Sequence, residues 1–144
     1  MIKPLSPNDL PKYMRIQGRE IAWVTKKPVG VFTLCVRKIR DEIFSKTDVE
    51  KFHDAEKWFN ENLPHPPFYG ENNNDATANT QGAITYFKTA NATIMLENLA
   101  PIFELLEKYQ VPYDIVYTNF PGKIIYEDEY QVGVVDAPEK EIEK

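Results

Sequence analysis

Six consecutive residues near the C-terminus, Tyr126, Glu127, Asp128, Glu129, Tyr130 and Gln131, hold the densest set of polar functional groups in the chain. Carboxylates held this close together can ligate a metal ion or share the roles of general acid and base. Consecutive side chains of a strand point to opposite faces, so Glu127 and Asp128 reach one ligand only if a turn falls between them. Acidic residues at a hairpin tip also serve solubility. No second group of Asp, Glu or His at a recognisable spacing accompanies them. The segment reads as a recognition surface, and no catalytic residue, metal ligand or cofactor is assigned.

A second set of polar residues sits where strands should end. Lys88 closes an apolar stretch just before a helix start, a place where open α/β sheets bind ligands and where helix N-termini favour anions. If a later strand returns beside it, Lys88, Thr89, Thr118 and Asn119 line one sheet edge and form a small anion-recognition patch. No glycine-rich phosphate loop supports it, since residues 87–91 contain no glycine. A snorkelling lysine and a capping threonine are the plain alternative. The expected ligand-contacting residues are thus Lys88, Thr89, Thr118, Asn119, Tyr126, Glu127, Glu129 and Gln131.

Composition narrows the remaining chemistry. Cys35 is the only cysteine and His53 and His65 are the only histidines, which rules out an internal disulfide and a zinc cluster built on cysteine and histidine. None of the three lies in a nucleophile motif. The net charge of −5 argues against nucleic acid as the partner. Lys26, Lys27, Arg37, Lys38 and Arg40 form the one local basic group, more simply read as a solvated face. No apolar run approaches the roughly 20 residues needed to cross a bilayer. The first residues lack the apolar stretch of a signal peptide, so a cytoplasmic location without membrane contact is expected.

The elements that must position these groups follow from periodicity. Alternation on either side of Gly18-Arg19, over residues 12–25, suggests a short hairpin with the glycine in the turn. Phe32, Cys35, Val36, Ile39 and Ile43 step by three and four and predict a helix over about 30–44. Thr47 followed by Glu50 has the capping-box pattern and opens a second helix over about 48–62, with Val49, Phe52, Ala55, Phe59 and Leu63 inward. The two helices should form an antiparallel pair. Pro64, Pro66 and Pro67 end this region, and the polar stretch 70–82 reads as a long loop.

Residues 83–88 predict a strand, and Met95, Leu96, Leu99, Ile102, Phe103, Leu106 and Tyr109 predict a helix capped by Thr89 or Asn91 and interrupted at Pro101. Tyr113, Ile115 and Tyr117 alternate with Asp114, Val116 and Thr118 in a strand expected to return parallel to 83–88 through a right-handed crossover. That alternation leaves a tyrosine-bearing face to be covered by a helix, a partner or a ligand. A final hairpin contains 123–132. The fold class is therefore α+β, with an antiparallel or mixed sheet of about four to six strands, a helical pair and one β-α-β crossover. At 144 residues one domain is expected over 1–135, with a frayed acidic tail over 136–144.

Three segments together, Trp58-Phe59 with Leu63-Pro64, Ile84-Thr85-Tyr86-Phe87-Lys88, and 121–132 with Pro121-Gly122 and Tyr126 to Val132, give the chain a resemblance to a group of small uncharacterised bacterial and phage proteins. The resemblance implies an accessory or mobile-element product and carries no known activity. Taken with the polar clusters, it leads to a non-enzymatic binding domain that recognises a protein partner or sequesters a small anionic, nucleotide-like ligand, and that can form a homo-oligomer. A carboxylate-dependent hydrolase using Glu127 or Glu129 on a nucleotide-like substrate is one alternative, and a structural or assembly protein is the other.

Overall fold

Gly18 does not turn the chain. A computed structural model describes residues 11–22, 25–64 and 83–136, and in it one unbroken strand, β1 (Tyr13–Ile21), runs straight through this glycine. The helix that follows packs across the strand at that point, and a Cβ on Gly18 would stand 2.8 Å from Leu34 Cδ1. The glycine is there for close approach rather than for a turn. A hairpin does form, but later than its expected position. Ala22 N–H donates to Lys27 O and Lys26 N–H to Ala22 O, with Lys26 in the left-handed region at φ 61°. The chain then returns antiparallel as β2 (Pro28–Gly30).

Two helices follow close to their expected bounds, α1 (Val31–Arg40) and α2 (Lys46–Asn62). The buried side of α1 is Val31, Leu34 and Cys35, rotated from the expected stripe, so that Phe32, Val36 and Ile39 lie half-buried at its border. The cap of α2 is Ser45 rather than Thr47. Its hydroxyl accepts from Asp48 N–H at 3.2 Å, two residues ahead of the anticipated box. The main packing partner of α2 is the later helix α3 (Ala92–Lys108) and not α1.

That helix begins after β3 (Ile84–Lys88) and a 3-10 turn at Thr89–Asn91, and it is continuous through Pro101. Pro101 is exposed, so its ring and missing donor are accommodated on the solvent side while Met95, Leu99, Ile102, Leu105 and Leu106 fill the core. Both α1 and α3 end in the same way. Glu42 and Gln110 take left-handed conformations at φ 59° and 56°. The next residue then donates back to the last turn, Ile43 N–H to Lys38 O and Val111 N–H to Leu106 O, both at 2.8 Å.

The sheet is completed by β4 (Tyr113–Thr118), β5 (Lys123–Glu127) and β6 (Gln131–Val135). All its pairings are antiparallel. β4 lies along one edge of β1 over six residue pairs, Tyr13↔Thr118 to Gly18↔Tyr113. The other edge of β1 is shared. β3 takes its start, through Tyr13↔Lys88 and Met14↔Phe87, and β2 takes its end, through Gln17↔Gly30 and Ile21↔Pro28. β6 then pairs with β3, and β5 with β6. The β3-α3-β4 crossover therefore steps over β1, so β3 and β4 run in the same direction but are not the adjacent parallel pair expected. The fold class is α+β, with three helices and a six-stranded antiparallel sheet.

Sharing one edge of β1 leaves a gap between the ends of β2 and β3. Arg15, only 8% exposed, fills it. Its Nη2 donates to Pro28 O at 2.8 Å, its Nη1 to Thr85 O at 3.0 Å and its Nε to Gln17 Oε1 at 3.1 Å. One guanidinium thus stands in for the ladder bonds that β2 and β3 cannot make to each other. Met14, Ile16 and Phe87 face the helices and join the core with Leu34, Phe52, Met95, Leu99 and Ile102. The polar stretch 70–82, His65 and the tail beyond Asp136 lie outside the described residues; Asp136 itself pairs with Lys27 at 2.6 Å. Among the described residues no helix is long and apolar enough to cross a membrane.

Candidate functional site

The end of the sheet where β3 and β4 finish gathers four of the residues expected at a ligand site. Tyr13 pairs with Lys88 on one side and Thr118 on the other. Thr89 and Asn119 follow directly and hold down the chain entering β1. Thr89 Oγ1 donates to Pro11 O at 2.7 Å and Thr89 N–H to Lys12 O at 2.9 Å, while Asn119 Oδ1 accepts from Lys12 N–H at 2.9 Å. Thr118 Oγ1 accepts from Phe120 N–H at 3.0 Å. Three of the four polar side chains therefore spend hydrogen-bonding capacity on the backbone. Lys88 points instead to the last hairpin and meets Glu127 Oε2 at 2.6 Å.

That hairpin is built around Asp128, which the sequence singled out only as one of several carboxylates. Its Oδ1 accepts from Tyr130 N–H at 2.8 Å and Gln131 N–H at 3.0 Å, an Asx turn that reverses the chain between β5 and β6. Its Oδ2 accepts from the Tyr126 hydroxyl at 2.6 Å. Burial, reinforced by that carboxylate, pushes the Tyr126 phenol up to about 12. Asn91 side-chain N–H donates to Glu129 O at 2.7 Å, fastening the turn to the start of α3. Lys88 and Glu127 thus meet at the sheet end, with Glu127 neutralised by Lys88, while Tyr126, the preceding residue of β5, turns to Asp128 instead. Gln131 leaves this group. It is buried and donates to Pro64 O at 2.7 Å, at the end of α2.

Gln131 instead lines a pocket of 220 Å³ between β2, the start of α1, the last turns of α2 and β3. Val29, Phe32, Phe59, Leu63, Ile84 and Phe87 form its apolar walls, and the Phe32 and Phe59 rings meet edge-on at 5.0 Å. Arg15, Glu56, Asn60 and Gln131 supply the polar groups. Glu56 lies 3.5 Å from His53 Nδ1. This mixture of aromatic wall and a few convergent polar groups is the usual composition of small-molecule sites. Periodicity placed Phe32 and Phe59 on buried helix faces, but the space between those faces depends on how α1 and α2 are set against β2. Arg15, in the alternating segment at 12–17, carried no signal beyond a cation flanked by Met14 and Ile16.

A wider concavity of 500 Å³ lies between α2 and α3, beside Asp48, Trp58, Glu97 and Lys108. Its one buried carboxylate is occupied. Asp48 Oδ2 accepts from Lys108 Nζ at 2.6 Å and from the Tyr109 hydroxyl. These two bonds hold its carboxyl down at about 2. The basic residues before and within α1 are likewise engaged. Arg37 and Lys38 pair with Glu20 at 3.2 and 2.5 Å, Arg40 with Asp41 at 3.2 Å and Lys27 with Asp136 at 2.6 Å. Cys35 is buried in the core, and burial first, Glu56 second, pushes its thiol up to about 12. Among the described residues no three His, Cys, Asp or Glu side chains converge as metal ligands would.

Compared with protein-family models, curated proteins and solved structures, the chain matches none. The resemblance to small bacterial and phage proteins gains nothing from these comparisons.

Proposed function

We propose that this protein is a non-enzymatic binding domain that holds one small molecule, with an apolar body and a single anionic group, in the pocket between β2, α1, α2 and β3. The observation that carries this reading is the juxtaposition of the Phe32 and Phe59 walls with the buried Arg15 guanidinium and the Gln131 amide. The positive charge of Arg15 favours an anionic head, and the aromatic walls favour a planar or branched apolar body. Glu56 on the same lining selects against a second negative charge. Among the described residues the pocket lining holds no Ser, Cys, His or Lys, which favours retention of a ligand over its turnover.

The test is a titration of the full chain, followed by two-dimensional amide NMR, with a panel of small aryl and alkyl carboxylates and nucleoside monophosphates. Binding should shift the amides of Phe32, Phe59 and Gln131 with one probe class preferred. Thr33 is an exposed residue at the pocket rim. Thr33→Trp should obstruct the opening and weaken binding by about tenfold or more. Shifts confined to Lys88, Glu127 and Glu129 would move the site to the sheet end. The absence of any saturable shift would reject the binding reading.

A further inference from the structure

We infer that β4 is a self-association edge, along which two copies of this chain pair antiparallel about a two-fold axis at Ile115. Among the described residues β4 pairs only with β1, so its outer row of backbone donors and acceptors is open. Besides the three-residue β2, two strands edge the sheet, β4 and β5, and they are treated differently. β5 carries Lys123 and Glu127 and an irregular register between Ile124 and Tyr126, devices that discourage strand addition. β4 has six regular pairs to β1, with no lysine, proline or bulge. Its single charge, Asp114, is neutralised within the chain by Arg19 at 3.3 Å. In a chain of net charge −5, this edge is locally neutral.

The occupant follows from the order of residues in the strand. Tyr113, Ile115 and Tyr117 share one face and read the same in both directions about Ile115. A two-fold axis perpendicular to the sheet keeps each face on its own side and sets Ile115 opposite Ile115 of the partner subunit. Tyr113 then stands opposite Tyr117 of the partner subunit, and Asp114 opposite Val116 of the partner subunit. Aromatic pairs form directly across the strands and no like charges face each other. Tyr113 is already fixed by stacking on Phe103 of α3, with ring centroids 5.2 Å apart. Ile115 and Tyr117 are each 41% exposed, and Phe120 just beyond the strand is 91% exposed. Pairing sets these side chains beside their counterparts in the partner subunit, on the face that α3 leaves open. Two six-residue edges bury less than a standard interface of about 1,600 Å², so the dimer is reversible.

Sedimentation of the full chain across a concentration series should show a mass rising from one copy to two, without higher species. Ile115→Lys should raise the dimer dissociation constant about tenfold or more while the circular dichroism spectrum is kept. Because Cys35 is buried, an added surface cysteine reports alone. Ile115→Cys should give a disulfide-linked dimer on mild oxidation, and Ile124→Cys on the β5 edge should give far less. A single copy at every concentration, dimerisation unchanged by Ile115→Lys, or equal linkage of the two cysteine variants would each overturn the inference. If Ile115→Lys unfolds the chain, the cysteine pair alone decides.

Discussion

Asp48 in the first turn of α2 accepts a hydrogen bond from the hydroxyl of Tyr109 just past α3, and the same hydroxyl accepts from Ser45 N–H at 2.9 Å. Lys108 adds an ion pair at 2.6 Å, so one buried carboxylate joins the start of one helix to the end of the other. Ser45 also caps α2 through Asp48 N–H, which makes the cluster a single unit of four residues.

This cluster predicts a pH signature. Asp48 is held at about 2, below its ordinary 3.8, chiefly by the Lys108 and Tyr109 bonds. A depressed carboxyl stabilises the fold fully above the unfolded value and loses that contribution as pH falls through the folded one. Asp48→Asn should therefore lower the melting temperature by several degrees at neutral pH. Its gap to the parent protein should close between about pH 4 and about pH 2 in pH-resolved thermal melts.

The two left-handed helix ends give a prediction of opposite sign. Glu42 and Gln110 occupy a conformation in which side chains are strained and glycine is not. Glu42→Gly and Gln110→Gly should each stabilise the protein by about 0.5–1 kcal/mol in denaturant titrations, since the relief of strain exceeds the added chain entropy. Glycine at an exposed mid-helix position such as Glu50 should instead cost about 1 kcal/mol.

Gly18 tests the packing of α1 on the sheet. A methyl group there meets the end of the Leu34 side chain, which must move. Gly18→Ala should cost about 1–3 kcal/mol by urea unfolding. Combined with Leu34→Val, the two changes should be non-additive, because the smaller side chain vacates the space the methyl group needs.

Arg15 tests the gap between β2 and β3. Arg15→Met keeps much of the apolar stem but leaves the Pro28 and Thr85 carbonyls without these donors. A loss of about 3 kcal/mol is expected. Hydrogen exchange should accelerate first in β2 and β3, and Arg15→Lys should recover only part of the loss because an ammonium cannot span both strands as the planar fork does.

What could be read from the chain alone was what repeats locally. The three- and four-residue steps of Phe52, Ala55 and Phe59, and of Met95, Leu99, Ile102 and Leu106, gave helices close to those observed. Lys88 and Thr118 were placed at a common end because strand direction fixes which end of a crossover is shared, and both pair with Tyr13. Pairing between distant segments could not be read. Nothing in residues 113–118 says that their neighbour is β1 rather than β3. The role of Gly18 is not legible, because a glycine that admits Leu34 and a glycine that turns a hairpin are the same letter. The role of Arg15 is not legible either, because it exists only where two strands fail to meet.

Along that gap, β3 touches β1 at only two residue pairs, helped by Thr89 and Arg15. The sheet is accordingly two leaves, one of β4, β1 and β2 and the other of β3, β6 and β5, with a narrow hinge between them. Twisting concentrates where the fewest bonds resist it, and the pocket lined by Arg15, Phe87 and Gln131 borders that line. A ligand held there would bind both leaves at once and stiffen the whole sheet.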